Sequence, residues 1–225
     1  MSCTAVLWTG GKDCALAMRR SILSGKRVAH LVTFGPRRKE FLAHPLEVLS
    51  QQAAAIGLPH HVITIDEPYD QSYRRAIEHL RDSLGIVELV TGDIDLVDGL
   101  PNWISQCCQG LGVKAQMPLW RRPREALLDE LISEGFQTIF SCVKQPWFDE
   151  SWAGRELTRE AVNQMREISA RTGLDICGEN GEYHSLVLAG PLWRGRIDIG
   201  CARVVHPDGM WRLEGISPAL RGAAI

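Results

Sequence analysis

Apolar residues recur along the first ninety positions in two alternating rhythms. Short continuous runs, Thr4–Trp8, Val28–Phe34, His61–Ile65 and Ile86–Val90, have the length and composition of buried strands. Between them apolar residues return every three or four positions: Leu16, Ala17, Ile22 and Leu23, then Leu46, Leu49, Ala53 and Ile56, then Tyr73, Ile77, Leu80 and Leu84. These are helical stripes. Pro45 opens the second helix and Gly57 stops it, Asp70 is placed to cap the third, and Gly85 ends it. The order β-α-β-α-β-α-β predicts an α/β fold, a parallel sheet with helices on both faces. In such sheets ligands bind outside the carboxyl ends of the strands.

The alternation loosens from about residue 98. Trp103–Gln109 reads as a short helix. Pro123 opens a longer one with Leu127, Leu128, Leu131 and Ile132 on its apolar face, and Gly135 caps it. Phe136–Val143 is a strong strand, residues 145–157 read as loop, and Thr158 begins a helix that ends at Gly173. Three strands separated by Gly/Pro turns are expected from Tyr183 to Ser217. The expectation is a first domain over residues 1–97 and a smaller α+β domain over 98–225, without internal repeats.

Composition adds limits. Of 225 residues, 45% are hydrophobic and 23% charged, as in an ordinary globular chain. A formal charge of −2 gives no general attraction to nucleic acid or membrane. No apolar run approaches the roughly 18 residues of a bilayer span, and no signal peptide is evident, so a cytoplasmic protein is expected. The seven cysteines are odd in number, irregularly spaced and free of C-x-x-C, which fits reduced, largely buried thiols.

Two stretches carry chemistry. Thr9-Gly10-Gly11-Lys12-Asp13-Cys14 joins the first strand to the first helix. Unpaired N–H groups and the helix dipole make such a corner an anion site, glycines let backbone approach a ligand, and Lys12 adds a cation. The pattern is neither G-x-x-x-x-G-K-[ST] nor G-x-G-x-x-G. The bland alternative is a tight turn with a solvated lysine. Gly92-Asp93 lies at another strand's carboxyl end, which raises the odds of a nucleotide site there. The second stretch, Cys177-Gly178-Glu179-Asn180-Gly181-Glu182-Tyr183-His184-Ser185, packs carboxylates, an amide, an imidazole and a hydroxyl ahead of Leu186-Val187-Leu188. A hairpin turn would explain Asn180-Gly181 but not Glu179, Glu182 and His184, which suit substrate recognition or acid–base work.

Together the two stretches resemble a family. T-G-G-K-D-C is similar to the S-G-G-K-D-S pyrophosphatase loop of N-type ATP pyrophosphatases. C-G-E-N-G-E-Y-H-S-L-V resembles the G-E-x-G-E-[FY]-x-[ST] motif of their diphthine–ammonia ligase branch. Gly92-Asp93-Ile94, Pro118-Leu119-Trp120 and Phe140-Ser141-Cys142-Val143 fall in matching order. The resemblance implies a Rossmann-like, adenine nucleotide alpha hydrolase-like first domain that binds ATP through a PP-loop. It implies ATP with Mg²⁺, adenylation of a carboxylate or carbonyl oxygen, release of pyrophosphate, and displacement of AMP by ammonia or an amine. In the named ligases diphthine on elongation factor 2 becomes diphthamide.

By the same resemblance Lys12, Asp13, Glu179 and Glu182 are the expected catalytic residues, with Asp13 the magnesium ligand. Thr9, Gly10, Gly11, Lys12, Asp13, Cys14, Gly92 and Asp93 would bind the nucleotide; His44, Asn180, Gly181 and His184 would face the acceptor or amine. The expected partners are ATP, an unidentified carboxylate acceptor on a small molecule or protein side chain, an ammonia or amine donor, and a second copy of the chain in a homodimer; neither nucleic acid nor membrane is expected. Thr9 and Cys14 replace the family's two loop serines, and Asp95–Trp103 lacks the arginine usual there. These departures motivate the alternative of a non-catalytic adenine-nucleotide sensor. Transfer-RNA modification, a third option, finds no RNA-binding module.

Overall fold

The computed structural model describes residues 3–37, 44–96 and 99–222. The chain divides into two compact units, neither of them continuous in sequence. The expected domain boundary at residues 97–98 lies outside the described residues.

The first unit comprises Met1–Thr9, Asp13–Ala43 and Leu58–Arg121. In chain order come β1 (Cys3–Leu7), α1 (Lys12–Leu23) and β2 (Val28–Pro36). Next is α2 (Leu46–Ile56), which belongs with the second unit. β3 (His60–Ile65), α3 (Tyr69–Leu84), β4 (Ile86–Val90), α4 (Trp103–Cys108) and β5 (Lys114–Gln116) follow. The five strands form one parallel sheet in the order β3-β2-β1-β4-β5, flanked by helices, as the pattern predicted. β1 lies at its centre with Ala5 and Val6 fully buried. Ala5, Val32 and Leu89 of the sheet pack with Ile77 and Leu80 of α3 and with Ile104, Cys107 and Cys108 of α4 in one apolar cluster. Asp70 does not cap α3. The helix starts two residues earlier than that, at Tyr69 with Pro68 at its N-cap, and Asp70 sits inside the first turn, where a carboxylate still favours the helix dipole. Gly85 ends the helix at φ 66°, as expected.

The second unit comprises Gly10–Lys12, His44–Gly57 and Arg122–Ile225. Beyond α2 it holds α5 (Arg124–Ser133), β6 (Gln137–Lys144), α6 (Arg159–Thr172), β7 (Tyr183–Ala189), β8 (Gly195–Asp198), β9 (Arg203–Val205), β10 (Met210–Glu214) and β11 (Ala219–Gly222). β7-β6-β10-β9 form an antiparallel sheet, and β11 pairs with β8. The region read as three strands therefore holds four, with a fifth beyond Ser217; the extra ones are only three or four residues long, too short to show a period. Residues 145–157 contain a 3-10 turn, Glu150–Trp152. Thr158 caps α6 by accepting a hydrogen bond from Ala161 N. Val48 and Ala55 of α2 pack with Ile139, Leu186, Leu188 and Ile197. Phe140, Phe148, Trp152 and Tyr183 form an aromatic cluster with ring centroids 4.9–6.0 Å apart. Four cysteines are buried, Cys3 and Cys142 partly so, Cys201 is exposed, and all are free thiols.

Candidate active site

In the first unit β1 has β2 on one side and β4 on the other, so the strand order reverses between β1 and β4. That reversal is where doubly wound sheets open a crevice for ligands. Thr9 leaves β1 there, and Asp13 and Cys14 stand in the first turn of α1. Gly92, just past β4, lies against this turn. A Cβ on it would come 2.7 Å from both Asp13 C and Cys14 N, so only glycine permits the approach. Thr9 Oγ1 donates to Cys14 Sγ at 3.7 Å, and the thiol is buried. Asp93 shapes the same edge. Its Oδ2 accepts from Thr91 Oγ1 at 2.7 Å and from Asn102 Nδ2 at 2.5 Å. Asn102 in turn caps α4 through Ser105 N, 2.9 Å from its Oδ1.

The remaining loop residues, Gly10–Lys12, pack in the second unit. Gly10 has φ +81°, and a Cβ there would meet Leu49 Cδ2 at 2.6 Å and Gln52 Oε1 at 2.8 Å. Its carbonyl accepts from Val187 N at 3.0 Å and from Gln52 Nε2 at 3.1 Å. Gln52, wholly buried on α2, also donates to Val187 O at 2.7 Å. Lys12 N donates to Ser185 Oγ at 3.1 Å, and Lys12 Nζ donates to Cys177 O at 2.5 Å. Nζ lies 5.2 Å from the centroid of Tyr183, whose hydroxyl donates to Ile176 O at 2.9 Å. The two motifs found in the sequence are thus joined: Cys177, Tyr183 and Ser185 enclose Lys12, which is only 4% exposed.

The turn ahead of β7 is organised by Glu182, 1% exposed. Its Oε1 accepts from Asp175 N at 3.0 Å and Asn180 Nδ2 at 3.2 Å, and its Oε2 from Asn180 N at 2.9 Å. Asp175 accepts from Cys177 N at 2.8 Å and pairs with Arg124 Nε at 3.3 Å. Glu179, Asn180, Gly181 and His184 are exposed on this segment. Surrounding protein, and after it the positive charge of Lys12, holds the His184 imidazole below its ordinary pKa of 6.5. His44 and Ser141 are both buried, and His44 Nε2 and Ser141 Oγ share a hydrogen bond at 2.9 Å.

Sequence reading missed Gln52, although one amide in the apolar stripe of α2 was a usable signal. Cys177, Tyr183 and Ser185 lie within the second motif, but nothing in their residue types points to their contacts with Lys12. Among the described residues no group of three or more His, Cys, Asp or Glu could hold a metal ion, and no helix is long and apolar enough to cross a membrane.

Known proteins resemble this chain along most of its length. The diphthamide synthase N-terminal domain model matches residues 2–115, and the diphthamide synthase C-terminal domain model matches residues 123–217. The chain is 27% identical over 229 residues to the diphthine–ammonia ligase of Danio rerio, covering 90% of this chain and 88% of that protein. The Homo sapiens diphthine–ammonia ligase is 26% identical over 225 residues, 89% of this chain and 84% of the relative. The protein of the same name from Schizosaccharomyces pombe is 31% identical over 107 residues, 47% of this chain and 18% of its own length.

Proposed function

Because the chain belongs to the diphthamide synthase family, we propose that it is an ATP-dependent ligase that joins ammonia to an activated carboxylate, with diphthine as the acceptor. The observation that carries this reading is the enclosure of Lys12 by the second motif, with its backbone N–H on Ser185 and its ammonium on the Cys177 carbonyl. A loop that merely turned the chain would have no need of a buried cation.

The chemistry follows from the poor leaving ability of oxide. The acceptor carboxylate oxygen attacks the α-phosphorus of ATP, the bond to the β-phosphate oxygen breaks, and pyrophosphate leaves with the electron pair. Ammonia then attacks the acyl carbon, AMP departs, and one proton passes from nitrogen to a base. Lys12 and the start of α1 stabilise the charge gathering on pyrophosphate. Gly10, held by Gln52 and Val187, keeps that turn in place. Asp13, a partly buried carboxylate in the same turn, suits magnesium, which is commonly held by one or two carboxylates and the substrate's phosphates. Such an ion would neutralise phosphate charge. Glu182 serves the turn more than the chemistry, since its oxygens receive the N–H groups of Asp175 and Asn180. Glu179 and Asn180 face the acceptor side, and His184, held neutral, takes the proton from ammonia.

The test is a reaction containing ATP, Mg²⁺, [¹⁵N]ammonium and a diphthine-bearing acceptor. AMP, pyrophosphate and ¹⁵N in the acceptor are expected. Lys12→Met should lower turnover by about 100-fold or more, the scale of losing a charge-stabilising donor. ADP and phosphate as products would refute the proposal.

A further inference from the structure

A cavity of about 320 Å³ lies in the second unit, among β6, β7 and the β8–β11 pair, at the small end of the range for ligand pockets. Ile139, Leu188, Arg196, Asp198, Ile199 and Arg221 line it, among others. Ile139 and Leu188 belong to the apolar cluster that holds α2, and Ile199 packs against that cluster, so one wall continues the core. None of the lining residues takes part in the enclosure of Lys12.

The charged wall is out of balance. β8 and β11 run antiparallel with Arg196 directly opposite Arg221 and Asp198 opposite Ala219. Strand alternation puts both arginines and Asp198 on one face of the pair. Like charges directly opposite one another destabilise such a pair. Asp198 answers only one of them: its Oδ2 accepts from Arg221 Nε at 2.6 Å and its Oδ1 from Gly200 N at 2.9 Å. Arg196 acts on Asp198 as a nearby charge, but its guanidinium forms no hydrogen bond or ion pair among the described residues. The cavity thus joins an aliphatic wall to one unanswered positive charge.

That combination selects a ligand. Inorganic phosphate would face Asp198 and would have to shed water against carbon. A neutral hydrocarbon would leave the arginine unanswered. An aliphatic monocarboxylate suits both walls, since guanidinium N–H groups match a carboxylate and the chain gains by leaving water. The side chains of Arg221 and Asp198 are 75% and 37% exposed, so the charged end can be reached from solvent. We propose that this cavity binds a medium-chain fatty acid anion, its carboxylate on Arg196 and Arg221 and its chain along Ile139, Leu188 and Ile199. The site stands apart from the ligase reading and does not depend on it.

The experiment is calorimetric titration of the full chain with sodium octanoate below its micelle concentration, against sodium chloride at matched ionic strength. Saturable binding at one site per chain is expected. Acetate, which lacks the chain, and 1-octanol, which lacks the charge, should each bind at least several-fold more weakly. Arg196→Gln should weaken octanoate roughly 3–10-fold and Arg196→Glu more, with the larger effect at low salt. Without ligand, Arg196→Gln should unfold at no lower temperature than the wild type, because a repulsion has been removed. Octanoate should raise the unfolding temperature of the wild type more than that of the variant. The proposal is overturned if the wild type shows no saturable binding, if acetate, inorganic phosphate or 1-octanol binds as tightly as octanoate, if Arg196→Gln binds octanoate unchanged, or if ATP with Mg²⁺ displaces it. AMP formation is followed on the same preparations: a protein that makes AMP and ignores octanoate loses this inference and keeps the ligase reading, and one that binds octanoate and makes no AMP does the reverse.

Discussion

His184 and Glu182 stand two residues apart, and burial gives them opposite tasks. The glutamate is sealed in and spends its charge on backbone N–H groups. The imidazole is exposed, beside the charge of Lys12, and its pKa is lowered, first by the surrounding protein and then by that cation. A base whose folded pKa lies below its unfolded one contributes fully above the unfolded value. Its contribution fades as pH falls from about 6.5 toward the folded pKa, because the unfolded chain takes a proton that the fold holds off. Activity that needs neutral His184 should therefore persist below pH 6.5 before it drops. In a pH–rate profile the acidic limb should lie on the acid side of that value and vanish in His184→Asn at a lower plateau. A limb at or above 6.5, or one unchanged in the variant, would exclude His184 as the base.

Among the elements, α2 joins the loop to β7. Gln52 bonds Gly10 O and Val187 O from within the apolar face of the helix. Gln52→Leu leaves two buried carbonyls one donor short, at about 1–3 kcal/mol for an unsatisfied group. Gln52→Glu should be worse, because an ionised carboxylate cannot donate to either carbonyl. Thermal unfolding should rank the wild type above Leu and Leu above Glu. Pyrophosphate exchange should fall in the same order, since Lys12 follows the loop; exchange that survives both changes would separate Gln52 from the site. Such a residue is hard to find in a linear sequence because its partners lie 42 and 135 positions away. Four parallel strands were legible because their apolar runs are continuous. The fifth, Lys114–Gln116, offers only Ala115 as an apolar signal. Both motifs were legible from residue type, whereas the different burial of Glu179 and Glu182 was not, since it depends on how the 175–182 turn closes.

For the whole molecule, the second unit draws on three separated stretches of chain. Val48 and Ala55 of α2 belong to the cluster formed by Ile139, Leu186, Leu188 and Ile197. A fragment beginning at Arg122 loses that helix and the Gly10–Lys12 turn. Each Val or Leu removed from such a core forfeits about 1.5–3 kcal/mol, against a total stability of about 5–15 kcal/mol for a typical domain. Residues 122–225 expressed alone should show no cooperative thermal transition and should associate in solution. A monomeric fragment with a sharp unfolding curve would mean that α2 is dispensable to this core.

The same threading sets a timetable for synthesis. Gln52 leaves the ribosome 135 residues ahead of Val187, which at roughly 5–20 residues per second is a delay of roughly 7–27 s. Through that interval Val48, Leu49, Ala53 and Ala55 have no finished core to enter. The nascent chain carries an unclosed apolar helix face until β7 emerges, and the loop that holds Lys12 can take its final form only after Val187 has been made.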